Sequence, residues 1–241
     1  MKGLIRFLLR SIPRPVLIRF SYLFSWLFRF WYRGNNVECP VCENSFRKFL
    51  PYGRIARENV LCPSCLSLER HRLLWLYLKN ETRFFEDPLK VLHVAPEQSF
   101  IKRFRALKNL DYTTADLESP IADIHFDLHE IPLEDNTYDY FICNHVLEHV
   151  EDDKKVLAEI LRVLKPGGTA ILQVPLDYHR EHTFEDKNIV DPLEREKHFG
   201  QNDHVRVYGL DYPERLREAG FDAMAEIRDL WRSLYPAFGI P

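Results

Sequence analysis

The sequence predicts an α/β fold, a doubly wound and mostly parallel sheet with helices on both faces, preceded by a small cysteine module. Three observations point there. From residue 88 onward, short apolar runs alternate with stretches of helical period, the pattern of strands joined by crossover helices. Two Cys-x2-Cys pairs stand upstream of that alternation. The 241 residues are 46% hydrophobic and 29% charged, with only 9 Gly, which excludes wholesale disorder, collagen-like repeats and solenoids.

Residues 1–36 read as a basic amphipathic helical segment. Lys2, Arg6, Arg10, Arg14, Arg19, Arg29 and Arg33 are unopposed by any acid, so the rest of the chain carries 26 basic against 36 acidic groups. An acidic body with a basic tail argues against a general nucleic-acid binder, whose positive charge belongs on the folded body. Phe20 to Phe28 is the longest charge-free stretch, nine residues, too short for the roughly 20 that span a bilayer. No small-residue cleavage site follows it. Pro13 and Pro15 leave a helix over Val16–Arg33, with Arg19, Arg29 and Arg33 on one arc beside Tyr22 and Trp26. This composition reads as a helix in a membrane interface, with a helix packed on its own domain or on a dimer partner as the alternative. The expected location is cytoplasmic, peripheral at a membrane.

Residues 37–80 form a zinc-ribbon-like module. Cys39-Pro-Val-Cys42 and Cys62-Pro-Ser-Cys65 are separated by 19 residues, and two such knuckles supply four thiolates to one tetrahedral zinc. Disulfides within each pair would staple almost no loop. With four sulfur ligands the ion has no open position, so its role is to fold a segment too small to fold alone. Arg70, His71 and Arg72 open a helix with Leu73, Leu74, Leu76 and Leu78 and read as its solvated start, with an anion or substrate contact between the two modules as the alternative.

In the third region, 88–241, strands are expected at Lys90–Val94, Tyr112–Ala115, up to Leu128 from His125, Tyr138–Cys143, Thr169–Val174 and Phe221–Ile227. Helices are expected at Glu97–Lys108, Asp152–Leu164 and Asp211–Ala219, the second stopped by Pro166-Gly167-Gly168 and the third by Gly220. Cys143 reads as a core thiol. Residues 177–209 exceed what the sheet needs and hold His179, His182, His198, Asp203 and His204, the composition of an ordered functional lid. Spacing within that stretch supports no metal, and Asp203 is placed to orient His204.

Several blocks resemble the class I S-adenosylmethionine-dependent methyltransferases, close to their type 11 group. They are Asp116, Asp127-Leu128, Ile131 to Asp139, Asn144-His145-Val146-Leu147-Glu148-His149-Val150, and Leu161-Arg162-Val163-Leu164-Lys165-Pro166-Gly167-Gly168. The resemblance implies a Rossmann-like sheet and S-adenosylmethionine as cofactor. It places Asp116 on the ribose hydroxyls, Asp127 and Leu128 at the adenine, and Asn144 and His145 where the acceptor enters. His93, Ala95, Pro96 and Glu97 stand where the family has a glycine-rich loop, and this chain is similar to a subgroup that pairs His-x-Ala-Pro-Glu with a cysteine module. Pro96 lacks an N–H and Glu97 would repel a phosphate, which disfavours a dinucleotide more than a cationic sulfonium nucleoside. His145 is the first candidate base and His204 the second. The family's seventh strand would have to lie in Trp231–Tyr235, failing which the tail helix is a candidate cover for the sheet edge. The implied function is methyl transfer to a small or lipid-linked acceptor. Two other readings stay open: an RNA methyltransferase whose zinc module holds substrate, and a non-enzymatic membrane-docked adapter.

Overall fold

The structure, a computed structural model, describes residues 14–53 and 56–223. The described residues divide into two compact units, with 14–87 and 97–107 (54–55 aside) in the first and 88–96 and 108–223 in the second.

The first unit starts with helix α1 (Arg14–Trp31), whose last residue is two short of the expected end because Arg33 opens strand β1 (Arg33–Cys39). β1 pairs antiparallel with β2 (Asn44–Phe46), so that the first cysteine pair sits at the end of a hairpin. β3 (Leu50–Tyr52) and β4 (Arg57–Leu61) make a second hairpin leading into the second pair. Helix α2 (Glu69–Asn80) follows, and helix α3 (Gln98–Ala106) also clusters with this unit. Aromatic faces join the two helices: Trp75 of α2 stacks on Phe100 and Phe104 of α3 at 6.3 and 6.0 Å between centroids. The periodicity of the sequence places α3 correctly but not its grouping, because those rings lie far apart along the chain.

The second unit is built on five parallel strands in the order β7-β6-β5-β8-β9. They are β5 (Leu89–Val94), β6 (Leu110–Asp116), β7 (Ile124–His125), β8 (Tyr138–Cys143) and β9 (Leu164–Ile171). β5 is central, and its Val91 to Val94 are all buried, as a strand covered on both faces requires. Val94 is in register with Ala115 on one side and Cys143 on the other, which levels the carboxyl ends of the three strands. Helix α4 (Asp153–Val163) is capped by the Asp152 carboxylate, which accepts from the Lys155 amide at 3.1 Å. Its Val156, Leu157, Ile160 and Val163 enter the same apolar cluster as Leu92, Phe141 and Cys143. Each such fully buried aliphatic side chain contributes about 1.5–3 kcal/mol.

Two expectations are corrected. The Pro-Gly-Gly sequence does not separate α4 from its strand. β9 begins at Leu164, directly after the helix, and its register advances five residues while β8 advances two, so that Lys165 to Gly168 bulge outward. Gly167 takes φ +77° there, and a Cβ on Gly168 would lie 2.9 Å from the Lys165 carbonyl oxygen. The expected strand Phe221–Ile227 does not form over residues 221–223, and its remainder lies outside the described residues, as does Trp231–Tyr235. Helix α6 (Tyr212–Glu218) precedes it.

The stretch after β9 is ordered. β10 (Phe184–Glu185) pairs antiparallel with β11 (Arg206–Val207), enclosing helix α5 (Pro192–Phe199).

Candidate functional site

The four cysteines of the first unit converge. Their sulfur atoms lie within 4.8 Å of one another, with Cys39 Sγ to Cys65 Sγ and Cys42 Sγ to Cys62 Sγ both at 3.6 Å. Tetrahedral zinc at about 2.3 Å from each sulfur puts the sulfurs about 3.8 Å apart, so the separation fits that ion. Hydrogen bonding to Cys39 raises the Cys62 thiol and hydrogen bonding to Cys39 holds Cys42 low, so these sulfurs share protons when no cation replaces them. Ser67 Oγ lies 3.3 Å from Cys39 Sγ and 3.2 Å from Cys65 Sγ.

Arg72 corrects the reading of Arg70-His71-Arg72 as a solvated helix start. It is 1% exposed, donates from Nη1 to the Val60 and Ser67 carbonyls at 2.9 and 3.0 Å, and lies 4.3 Å over the Phe49 ring. Burial lowers its pKa, while Cys39, Glu69, Cys62 and Cys65 support its charge. A zinc held by these four thiolates would carry two net negative charges, and Arg72 is the buried cation that would balance them. His71 is also inside: its Nδ1 accepts the Leu68 amide at 3.1 Å and its Nε2 lies 3.9 Å from Glu97 Oε1. Glu97, expected at the cofactor, therefore faces His71 of its own unit.

In the second unit, Ala95, Asp116 and Asn144 follow three adjacent strands at their carboxyl ends. Because β6 lies on one side of β5 and β8 on the other, this is a point where the chain reverses its direction of winding, the usual ligand crevice of such sheets. Ala95 adopts φ +49° and donates its amide to the Ala115 carbonyl at 2.8 Å. It thus takes, with a side chain, the left-handed conformation that glycine takes freely. Pro96 is buried. His93 is fully buried, and its Nδ1 lies 2.8 Å from the Tyr112 hydroxyl, so its side chain serves the sheet. Asp116 Oδ1 accepts the amides of Glu118 and Ser119 at 2.9 and 2.8 Å, which closes the turn after β6. Asp127 Oδ1 accepts the His129 amide and lies 2.6 Å from His129 Nδ1; those bonds hold its pKa below the ordinary value. Leu128 packs its side chain in the apolar cluster. Asn144 is buried, with Oδ1 3.4 Å from the Gln173 amide.

His145 follows at φ +55°, its amide bonded to the Gln173 carbonyl at 2.7 Å. Its Nδ1 lies 3.4 Å from Glu148 Oε1, and its side chain is 31% exposed. A carboxylate behind one ring nitrogen orients the imidazole and leaves the other for a proton. His204 is placed differently. It is 5% exposed, and burial together with His149 lowers its pKa. Asp203 faces His149 rather than His204, its carboxylate 3.5 Å from His149 Nδ1.

A charged network tethers the 177–211 segment. Asp153, buried at the start of α4, accepts from Tyr208 Oη at 2.7 Å and from Arg215 Nε and Nη2 at 2.7 and 2.6 Å. Buried Arg206 donates to the Leu147 and Val150 carbonyls and to Glu185. Burial raises the Asp153 pKa, but the Arg215 bond and the nearby Arg206 charge outweigh it and hold the group low. Asp153 gave no signal in the sequence beyond a helix start.

Residues 79–172 match a family profile described as a methyltransferase domain. A demethylmenaquinone methyltransferase of Bacillus mycoides is 48% identical over 48 residues, 20% of each chain. An uncharacterized 37.1 kDa transposon protein of Streptomyces fradiae is 45% identical over 49 residues, 20% of this chain and 14% of that one. The chain thus spans a fifth or less of the length of these curated relatives. Among solved structures, a putative sarcosine dimethylglycine methyltransferase from Galdieria sulphuraria is similar with TM-score 0.45 and 19% identity, over 71% of this chain and 75% of that one. A 1,6-didemethyltoxoflavin-N1-methyltransferase of Burkholderia thailandensis, with bound S-adenosylhomocysteine, is similar with TM-score 0.43 and 17% identity, over 62% and 65%.

Proposed function

We propose that this chain, whose residues 79–172 are a methyltransferase domain, transfers a methyl group from S-adenosylmethionine to a small or lipid-linked acceptor bearing a hydroxyl or carboxyl group. The observation that carries the reading is the row Ala95, Asp116 and Asn144 at the level carboxyl ends of β5, β6 and β8. When bound, the cofactor supplies a methyl group activated on a sulfonium. The chain's own residues do the rest. Asp116 uses Oδ1 to set its turn and presents Oδ2 to the ribose diol. Ala95 and Pro96 form the wall of the nucleoside site without glycine, through the positive φ of Ala95. Asp127, with the backbone of Leu128, borders the adenine. His93 contributes through its strand rather than by direct contact, and Glu97, which groups with the first unit, is left out of the site.

His145 takes the acceptor's proton, because its imidazole is oriented by Glu148 and partly open, whereas His204 is enclosed. The lipid-linked class rests on α1, where Phe20, Trp26, Leu27, Phe30 and Trp31 are exposed, Trp31 to 77%, beside Arg29. Among the described residues no helix is long and apolar enough to cross a membrane, so such contact would be interfacial. The demethylmenaquinone acceptor named for the Bacillus relative keeps the small-molecule class in view.

Calorimetry with S-adenosylmethionine tests the reading. Binding to the full chain is expected, and Asp116→Ala should weaken it by about 1.5–3 kcal/mol, the range of a lost charge-assisted hydrogen bond. A full chain that binds nothing at millimolar cofactor is the adapter, not the enzyme.

A further inference from the structure

We propose that Glu148, His149 and His204 bind a divalent transition-metal ion of the zinc type, at a second site separate from the four cysteines. One ligand atom from each residue lies within 4.8 Å of the others. Glu148 is 2% exposed and its Oε2 has no hydrogen-bond partner; His204 is 5% exposed and its Nε2 has none. A buried carboxylate oxygen and a buried imidazole nitrogen left without partners each cost about 1–3 kcal/mol or more, and one cation satisfies both. The neighbouring cation does not supply this, since Arg206 spends Nη1 on the Leu147 and Val150 carbonyls and Nε on Glu185.

The outer contacts suit ligation. His149 Nδ1 lies 3.2 Å from the Asp203 carbonyl oxygen and 3.5 Å from its carboxylate, which holds a proton on Nδ1 and frees Nε2. Glu148 gives Oε1 to His145 and retains Oε2. Two imidazoles and one carboxylate form a three-ligand set with an open fourth position, the donor chemistry of zinc or of a neighbouring divalent metal. Spacing within residues 177–209 does not show the site because two of its ligands come from the turn after β8. The Val205 amide, bonded to the Glu148 carbonyl at 2.9 Å, brings the two segments together.

The proposal depends on neither the cofactor nor the cysteine site. The full chain is titrated with zinc, dialysed against metal-free buffer and assayed for bound metal. Wild type should hold one equivalent more than Glu148→Gln and His204→Gln, while the cobalt-substituted variants keep the thiolate charge-transfer bands of the cysteine site. Equal metal content in wild type and both variants overturns the proposal. Should either variant fail to fold, cobalt-loaded wild type decides. A nitrogen- and oxygen-ligated cobalt spectrum superimposed on the thiolate bands supports the site; thiolate bands alone overturn it.

Discussion

The cysteine module and the sheet unit solve the same problem, holding a chain against its own entropy, with different means. The module has hairpins with strands of only three to seven residues and places Cys39 and Cys62 in its interior together with a buried arginine. We expect its order to depend on the one point where four sulfurs meet. The sheet unit spreads the work over an apolar cluster that runs through β5, β8 and α4, and adds a charged network around Asp153 at one place. A domain with a large core tolerates the loss of any one contact, whereas a small one fails with its staple.

The largest expected effect breaks this comparison at its weaker side. Cys62→Ser, or removal of zinc by a strong chelator, should unfold residues 37–80, since structural zinc contributes about 10 kcal/mol or more to such modules. Limited proteolysis should then cut within the module while fragments of the sheet unit persist. A protease pattern unchanged by chelation would mean that the hairpins stand without metal.

Asp153→Asn comes next. It leaves buried Arg206 and half-buried Arg215 with Glu185 as their remaining carboxylate, at a cost of about 3 kcal/mol, read as a lower urea midpoint for the sheet unit. The same residue sets an acid limit. Its folded pKa lies below its unfolded value near ~3.9, so its contribution is complete above about pH 4 and is lost as pH falls through the folded value. The variant should lack that part of the acid transition. The smallest effect sharpens the comparison: Arg72→Met keeps the stem over Phe49 and removes the charge, which should cost about 2 kcal/mol and let a chelator extract the metal at lower concentration. An unchanged chelation midpoint would show that Arg72 serves packing alone.

Much of the site was legible in the chain. The two Cys-x2-Cys pairs announce a common ligand cluster because paired thiols at that spacing have few other uses, and the sulfurs do converge. Buried strands such as Val91–Val94 announce themselves by a short apolar run, interrupted here only by His93. Arg72 and Asp153 were not legible. A charged residue at a helix start looks the same in sequence whether it faces water or a buried partner, and here the partners are the Val60 and Ser67 carbonyls and the distant Arg215. The bulge at Lys165–Gly168 escaped for a related reason: Pro-Gly-Gly is a stop signal in isolation, and pairing with β8 on both sides of it turns the stop into a kink within a strand.

Local chemistry therefore determined most of the elements, their order along the chain and which four cysteines converge, because period, turn residues and spacing act over a few positions. Tertiary structure alone decided which charged side chains are buried, that Asp203 turns to His149, and that His204 joins Glu148 across 55 intervening positions of chain. Those outcomes depend on which segments meet, and a meeting of segments leaves no periodic trace in either of them.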